Sequence, residues 1–348
     1  MFHYAYIVSA LAVLSVVLGH PQWQNSDAER MRILGPLAPT ARGVSCSGVL
    51  TPSSTIPSSV HALRPADIKH VGAMGDSLTA ANGAKAFSII AVLVEYRGVS
   101  WSIGGDDNLD KVVTLPNILR KCNPQLFGYS KGSGNRNSSG AGFNVAKAGA
   151  ISKDMPSQAV LLVDRIKRAL GANFAYDWKL VTFFIGGNDL CVYCKDTKLY
   201  SADNYVGNIR TALDYLHANM PRTLVNFVTV LNVAELDDLH EGLTCQSLQN
   251  IICDCSTNKK TREITRQANI NYQSGTNQLI DSGRYDTKDD FTVVRQPFME
   301  HMKVPLTADG KSDFSYFSPD CFHFSQKGHE AAAVELWNNM VGFFVYIQ

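Results

Sequence analysis

A surplus of charge of either sign is the first thing this chain lacks: 32 basic and 31 acidic residues leave a formal net charge of +1. Such a balance supplies no field for drawing in DNA or RNA, so nucleic acid is excluded as a partner. Charged residues are sparse, 18% against 45% hydrophobic. That excludes a disordered chain, and 348 residues are enough to bury a sizeable core. Eight cysteines are too few for a miniprotein built on disulfides. Long apolar runs are confined to residues 7–18. The later apolar stretch 341–347 is far too short to span a bilayer, so no C-terminal anchor is expected.

What the chain does have begins with that first run. IVSALAVLSVVL is followed by Gly19, His20 and Pro21, the form of a secretory leader cleaved near Gly19. The segment before it carries His3 but no Lys or Arg, and an uncleaved signal anchor is the alternative. The expected organisation is a signal peptide over 1–19, a Pro/Ser/Thr-rich linker or wrapping arm over 20–66, and a catalytic domain over 67–348. Secretion makes disulfides the expected state of the cysteines, with the pairing unreadable from spacing. Zinc or a redox pair at Cys191, Cys194, Cys253 and Cys255 is the competing reading, and Cys122 is the candidate for an unpaired thiol. Asn137-Ser138-Ser139 is the single glycosylation sequon.

After Pro65 an α/β rhythm sets in. Runs at 68–74, 180–185 and 224–231 are nearly uncharged, as parallel strands covered on both faces are. Helical spacing relates Ala159, Val163, Ile166 and Leu170, and again Tyr205, Ile209, Leu213 and Leu216 behind Ser201 as N-cap. Further helices are expected over 86–96, 261–280 and 326–341. The alternation predicts a three-layer α/β/α sandwich around a parallel sheet, with the active site at the carboxyl ends of its strands.

Four motifs fall there. Gly75-Asp76-Ser77-Leu78 follows the first strand and exposes a hydroxyl beside backbone N–H groups. Asn144 to Ala150 includes Gly149, whose N–H no side chain shields. Gly186-Gly187-Asn188-Asp189 ends the second strand and offers a side-chain amide. Asp320 and His323, three apart, can share one turn, so that the carboxylate fixes the ring tautomer. Singly, each reads equally well as a cap, a turn or a structural histidine. His329 competes for the role of base but reads as exposed at a helix start. Asp320, His323 and His329 could also be drawn as a metal site, though nothing completes it. Gly128-Tyr129-Ser130-Lys131-Gly132 matches a nucleophile elbow but lies in loop sequence without the required strand and helix.

In this order, GDSL, N-x-A-x-x-G-A, GGND and D-x-x-H, the motifs resemble the SGNH/GDSL hydrolase family. The flanks SVHALRPADIKHVGAMGDSLTA, EYRGVSWSIGGDDNL, TFFIGGNDLCVYC, IDSGRYDTKDDFTVVRQPF and SPDCFHFSQKGH bring it close to the phospholipase B1 branch, over residues 59 to 337. The resemblance implies a flavodoxin-like fold, Ser77 as nucleophile, His323 as base and Asp320 as its orienting acid. It also implies an oxyanion hole from the N–H of Ser77, the N–H of Gly149 and the amide of Asn188, with no metal or cofactor. The expected activity is hydrolysis of fatty acyl esters of glycerophospholipids and lysophospholipids at a membrane or micelle surface. Hydrolysis of acetylated sugars or small lipids is the alternative, and a non-catalytic lipid-binding relative is the other. An apolar end at Phe343, Phe344, Tyr346 and Ile347 raises the question of interface contact; packing of a terminal helix on the sheet is the plainer reading.

Overall fold

The computed structural model describes residues 44–346 except 234, 235, 237, 238, 240, 241 and 301, all within one compact unit, 40–348. The leader expected over 1–19 lies outside the described residues, as do Ile347 and the side chains of Phe343, Phe344 and Tyr346. The elements, in chain order, are β1 Ile68–Gly75, α1 Ser77–Ala80, α2 Leu115–Cys122, α3 Met155–Leu170, β2 Trp178–Phe184, α4 Gly187–Val192, α5 Ala202–Asn219, β3 Thr223–Val228, α6 Gly242–Ile252, α7 Asp254–Thr257, α8 Arg262–Asp281, β4 Phe291–Gln296 and α9 Gln326–Tyr346. Among the described residues no helix is long and apolar enough to cross a membrane.

The strands pair in parallel in the order β1-β2-β3-β4. Every residue of β2 and β3 is buried, so both faces of the sheet need cover. Alternation supplies two cores. Val181, Phe183, Val225 and Phe227 meet Leu162 and Ile166 of α3, Ile209 and Leu213 of α5 and Tyr272 of α8. Leu180, Phe184, Leu224 and Val228 meet Leu115 and Ile118 of α2 and Leu336, Trp337 and Met340 of α9. This is the expected three-layer α/β/α arrangement, with the last helix packed on the sheet.

The free edge of β1 is not bare. Phe127 and Asn144 each bridge it in parallel, through Val71 N–H to Phe127 O (2.9 Å) and Val145 N–H to Ala73 O (2.9 Å). The chain thus visits the outer side of β1 before crossing to β2 on the inner side. That reversal makes the carboxyl end of β1 a topological switch point, where α/β sheets open a crevice.

Local signals explain the helices. Pro156 stands in the first turn of α3, and the helix stops at Gly171, φ 53°. Ser201 caps α5 by accepting from Asn204 N–H. The helix expected over 86–96 does not form: a 3-10 turn at Ile90–Leu93 sits in an irregular loop. Ala91 N–H donates to Ser88 Oγ (3.4 Å), but Phe87, Ile90 and Leu93 stay in solvent instead of gathering against the core. β4 and α2 emerge where no helix or strand was expected.

All eight cysteines pair: Cys46–Cys122, Cys191–Cys253, Cys194–Cys255 and Cys245–Cys321. Cys122 is therefore not a free thiol. Residues 44–66 lie against the body through its bond to Cys46, through Trp178 Nε1–H donating to Pro57 O (3.0 Å), and through the buried Val60 and Leu63. The zinc reading also falls. Cys194, Asp254 and Cys255 are the one metal-like cluster among the described residues, and its two sulfurs are bonded to each other.

Replacing Cys122 with Ser should cost about 2–4 kcal/mol by releasing the loop it closes. The urea midpoint reads that loss. Unreduced, denatured variant should bind one equivalent of maleimide at Cys46, and wild type none.

Candidate active site

The site grows from the exit of β1. Gly75 ends the strand in a slot where a Cβ would stand 2.3 Å from Phe184 O and 2.6 Å from Thr79 Oγ1, so only glycine lets the chain turn here. Gln158 of α3 clamps it on both sides, accepting from Gly75 N–H (2.9 Å) and donating to Gly75 O (2.9 Å). Asp76 then caps the single turn of α1, its carboxylate accepting from Leu78 N–H (2.9 Å). Burial pushes the Asp76 carboxyl up to about 7, against that hydrogen bond.

Helix α1 is too short to satisfy its own carbonyls. Trp101 Nε1–H donates to Leu78 O (3.1 Å), and Ser100 Oγ (2.7 Å) and Asn144 Nδ2 (3.0 Å) donate to Thr79 O. The buried Arg97 guanidinium fixes the neighbouring loop, donating to Gly134 O and Ala146 O and pairing with Glu95 at 2.9 Å. Trp101, Ser100 and Asn144 thus hold one short turn, and Ser77 opens it.

From the far end of the chain comes the turn before α9. Asp320 and His323 share it: Asp320 Oδ1 accepts from the N–H of Phe322 (3.1 Å) and of His323 (3.0 Å), and Oδ2 meets His323 Nδ1 at 2.6 Å. Burial raises the Asp320 pKa, but the imidazole and the two N–H groups outweigh it and hold the carboxyl below its ordinary value. The other ring nitrogen, Nε2, lies 2.9 Å from Ser77 Oγ. An imidazole so held can take the serine proton, and the adjacent carboxylate supports the charge that results.

The other expected residues sit nearby. Asn188, at the start of α4, donates through Nδ2 to Ala150 O (2.8 Å), and Asp189 accepts from Ser152 N–H and Oγ–H. Together they tie the end of β2 to the turn holding Gly149. Burial raises the Asp189 carboxyl to about 6, against the Ser152 hydrogen bonds. Gly149 is exposed with φ 73°; a Cβ there would touch nothing, so it is the left-handed backbone that favours glycine. Ser77 and Asn188 line a cavity of about 160 Å³ whose other walls are mostly apolar, among them Leu231, Val233, Leu236, Phe298, Phe322 and Phe324.

One sequence expectation is overturned, and the elbow-like loop is not part of the site. His329 is not exposed but fully buried; its Nδ1 accepts from Trp101 N–H (3.4 Å), and burial lowers its pKa to about 3. It is a neutral packing residue, committed away from Ser77. Ser130 of the elbow-like loop is buried, its hydroxyl donating to Ala141 O (2.7 Å).

Sequence reasoning missed Gln158, Ser100, Trp101 and Arg97. For Gln158 a signal existed: it shares the buried face of α3 with Met155 and Leu162, where a polar side chain needs a partner.

Geometry and kinship point the same way. The chain belongs to the GDSL-like lipase/acylhydrolase family, whose model matches residues 71–336. Curated relatives include membrane-associated phospholipase B1 of Mus musculus and of Homo sapiens, each 49% identical over 299 residues. The matched part is 83% of this chain but only 20% of either relative, so the chain spans a minor share of their length. Among solved structures, an acetyl esterase mutant with acetate ion aligns with 81% of this chain and 100% of its own at 13% identity and a TM-score of 0.37.

Two outcomes test this construction. Gln158→Leu leaves the Gly75 N–H without its acceptor and should cost about 1–3 kcal/mol in urea unfolding. The second concerns pH. Unfolded His329 binds a proton near 6.5, whereas the buried ring resists until about 3. Stability is therefore full above 6.5 and falls as pH drops, by about 1.4 kcal/mol per unit from this group. Melting followed between pH 7 and pH 5 should show a smaller acid loss in His329→Gln than in wild type.

Proposed function

We propose that this chain hydrolyses fatty acyl esters of glycerophospholipids and lysophospholipids through an acyl-enzyme. The observation that carries the reading is the 2.9 Å contact between Ser77 Oγ and His323 Nε2 at one end of an apolar cavity. In the proposed route His323 takes the Ser77 proton as the oxygen attacks the ester carbonyl. The negative charge on the carbonyl oxygen is met by the N–H of Ser77, the N–H of Gly149 and the second amide hydrogen of Asn188. His323 then hands its proton to the leaving alkoxide, activates water, and the fatty acid is released. Asp320 keeps the ring in the working tautomer throughout.

Kinship to phospholipase B1 supports phospholipid as the substrate, and the apolar walls suit an acyl chain. A leader over 1–19 and an arm over 20–66 before a catalytic domain over 67–348 complete the proposal. Four disulfides support an oxidising, extracellular destination.

The decisive assay compares acid release from phosphatidylcholine micelles and from a short-chain aryl ester. Wild type should act on both, with a metal chelator present, and Ser77→Ala on neither. Activity on the aryl ester alone would move the substrate to non-phospholipid esters; activity on neither would leave a lipid-binding relative. Asn188→Ala should lower kcat about 100- to 1000-fold.

A further inference from the structure

The helix that failed to form leaves an unusual surface. Residues 86–94 read AFSIIAVLV, nine residues without a charge. Phe87 is 91% exposed, Ile90 82% and Leu93 81%, with Ile89 and Val94 also in solvent. Three large apolar side chains this exposed within seven residues are not ordinary surface. Ile90 and Leu93 are three apart in the 3-10 turn, where such side chains eclipse one another, and Phe87 continues the same spacing. Val92 alone turns inward, at 8% exposure.

This tip stands on a fixed neck. Asn82 and Glu95 form an antiparallel bridge, with Gly83 N–H donating to Val94 O (3.0 Å) and Tyr96 N–H to Ala81 O (3.0 Å). The neck begins just after α1. It is also bonded to the turn that carries the imidazole: Ser318 Oγ donates to Gly83 O (2.9 Å), and Gln326 N–H to Ala84 O (2.7 Å). Ser77 and His323 thus each lie a few residues from the base of the same apolar loop.

We infer that residues 86–94 are a docking ridge that inserts into a phospholipid surface and seats the Ser77 site beside it. This rests on the reading that the substrate is a lipid. A lipid surface fits better than a protein partner. A stable protein interface takes about 20–30 residues a side, which nine residues cannot supply. The ridge also offers neither charge nor varied polar groups to select one partner, and a bilayer needs only apolar area. Lys85 at its base, half-exposed and 3.7 Å from Asp106, stands where anionic headgroups would lie.

The test uses vesicles of ether-linked phosphatidylcholine and phosphatidylglycerol, which cannot be hydrolysed. The triple variant Phe87→Ser, Ile90→Ser, Leu93→Ser should partition onto them at least tenfold more weakly than wild type in co-sedimentation. It should keep wild-type activity on a monomeric short-chain aryl ester, which shows that the site is intact. Should the triple variant misfold, Ile90→Trp decides, because the introduced indole should shift its emission to the blue on vesicle addition. Equal partitioning of triple variant and wild type, or an indole blind to vesicles, overturns the inference. So does a wild-type dimer that the triple variant dissolves without any vesicle binding. Wild type that binds ether vesicles but cleaves no phospholipid would sink the substrate reading and leave the docking ridge standing.

Discussion

One contact organises this molecule: Ser77 Oγ lies 2.9 Å from His323 Nε2 across 246 positions of sequence. A bond of that length between groups so far apart must be held from both sides, since either backbone drifting by an ångström would break it. On the serine side the holding is done by the sheet. Gly75 is wedged against Phe184 at the end of the neighbouring strand, and Gln158 grips its amide from the helix layer. On the histidine side the turn is closed by its own aspartate, whose two oxygens serve backbone and ring at once.

The short turn that opens at Ser77 shows how a fold keeps a hydroxyl at the rim of a cavity. A longer helix would satisfy its own carbonyls. A single turn cannot, and side chains from 100, 101 and 144 fill the deficit. Those residues come from the loops between β1 and β2, the part of the chain with least regular structure. Irregular segments of this kind are where a motif search sees nothing, yet here they determine whether Ser77 is presented at all.

Much of this was legible beforehand. Continuous apolar runs gave away β1, β2 and β3 because a sheet covered on both faces needs no polar alternation, and Ser201 marked the start of α5 by cap chemistry alone. The order of four weak motifs located Ser77, Asn188, Asp320 and His323, which the fold gathers around one crevice. Illegible were the contacts made by chain reversal. Gln158 gave only a polar residue on an apolar stripe, and its partner, 83 positions away, had no local mark. His329 read as exposed because Gly328 and Glu330 flank it, yet helix α9 turns it inward under Trp101. The cysteine pairs were hidden for the same reason, and Cys122 meets Cys46 only because the arm wraps back. Over 86–96 a helix was expected, and its failure marked a segment where Phe87, Ile90 and Leu93 look outward.

The link between Cys245 and Cys321 reaches beyond architecture. Cys321 sits two residues before His323 in a left-handed conformation, φ 57°, that a non-glycine residue adopts at a cost. The sulfur bridge and the Gln249 amide on its carbonyl (2.8 Å) hold it there. The turn that holds His323 is therefore fastened by a covalent event that follows translation. Until Cys321 is oxidised, the chain holds Asp320 and His323 in sequence without the clasp that fixes their turn, so an oxidising step must come before that geometry is complete.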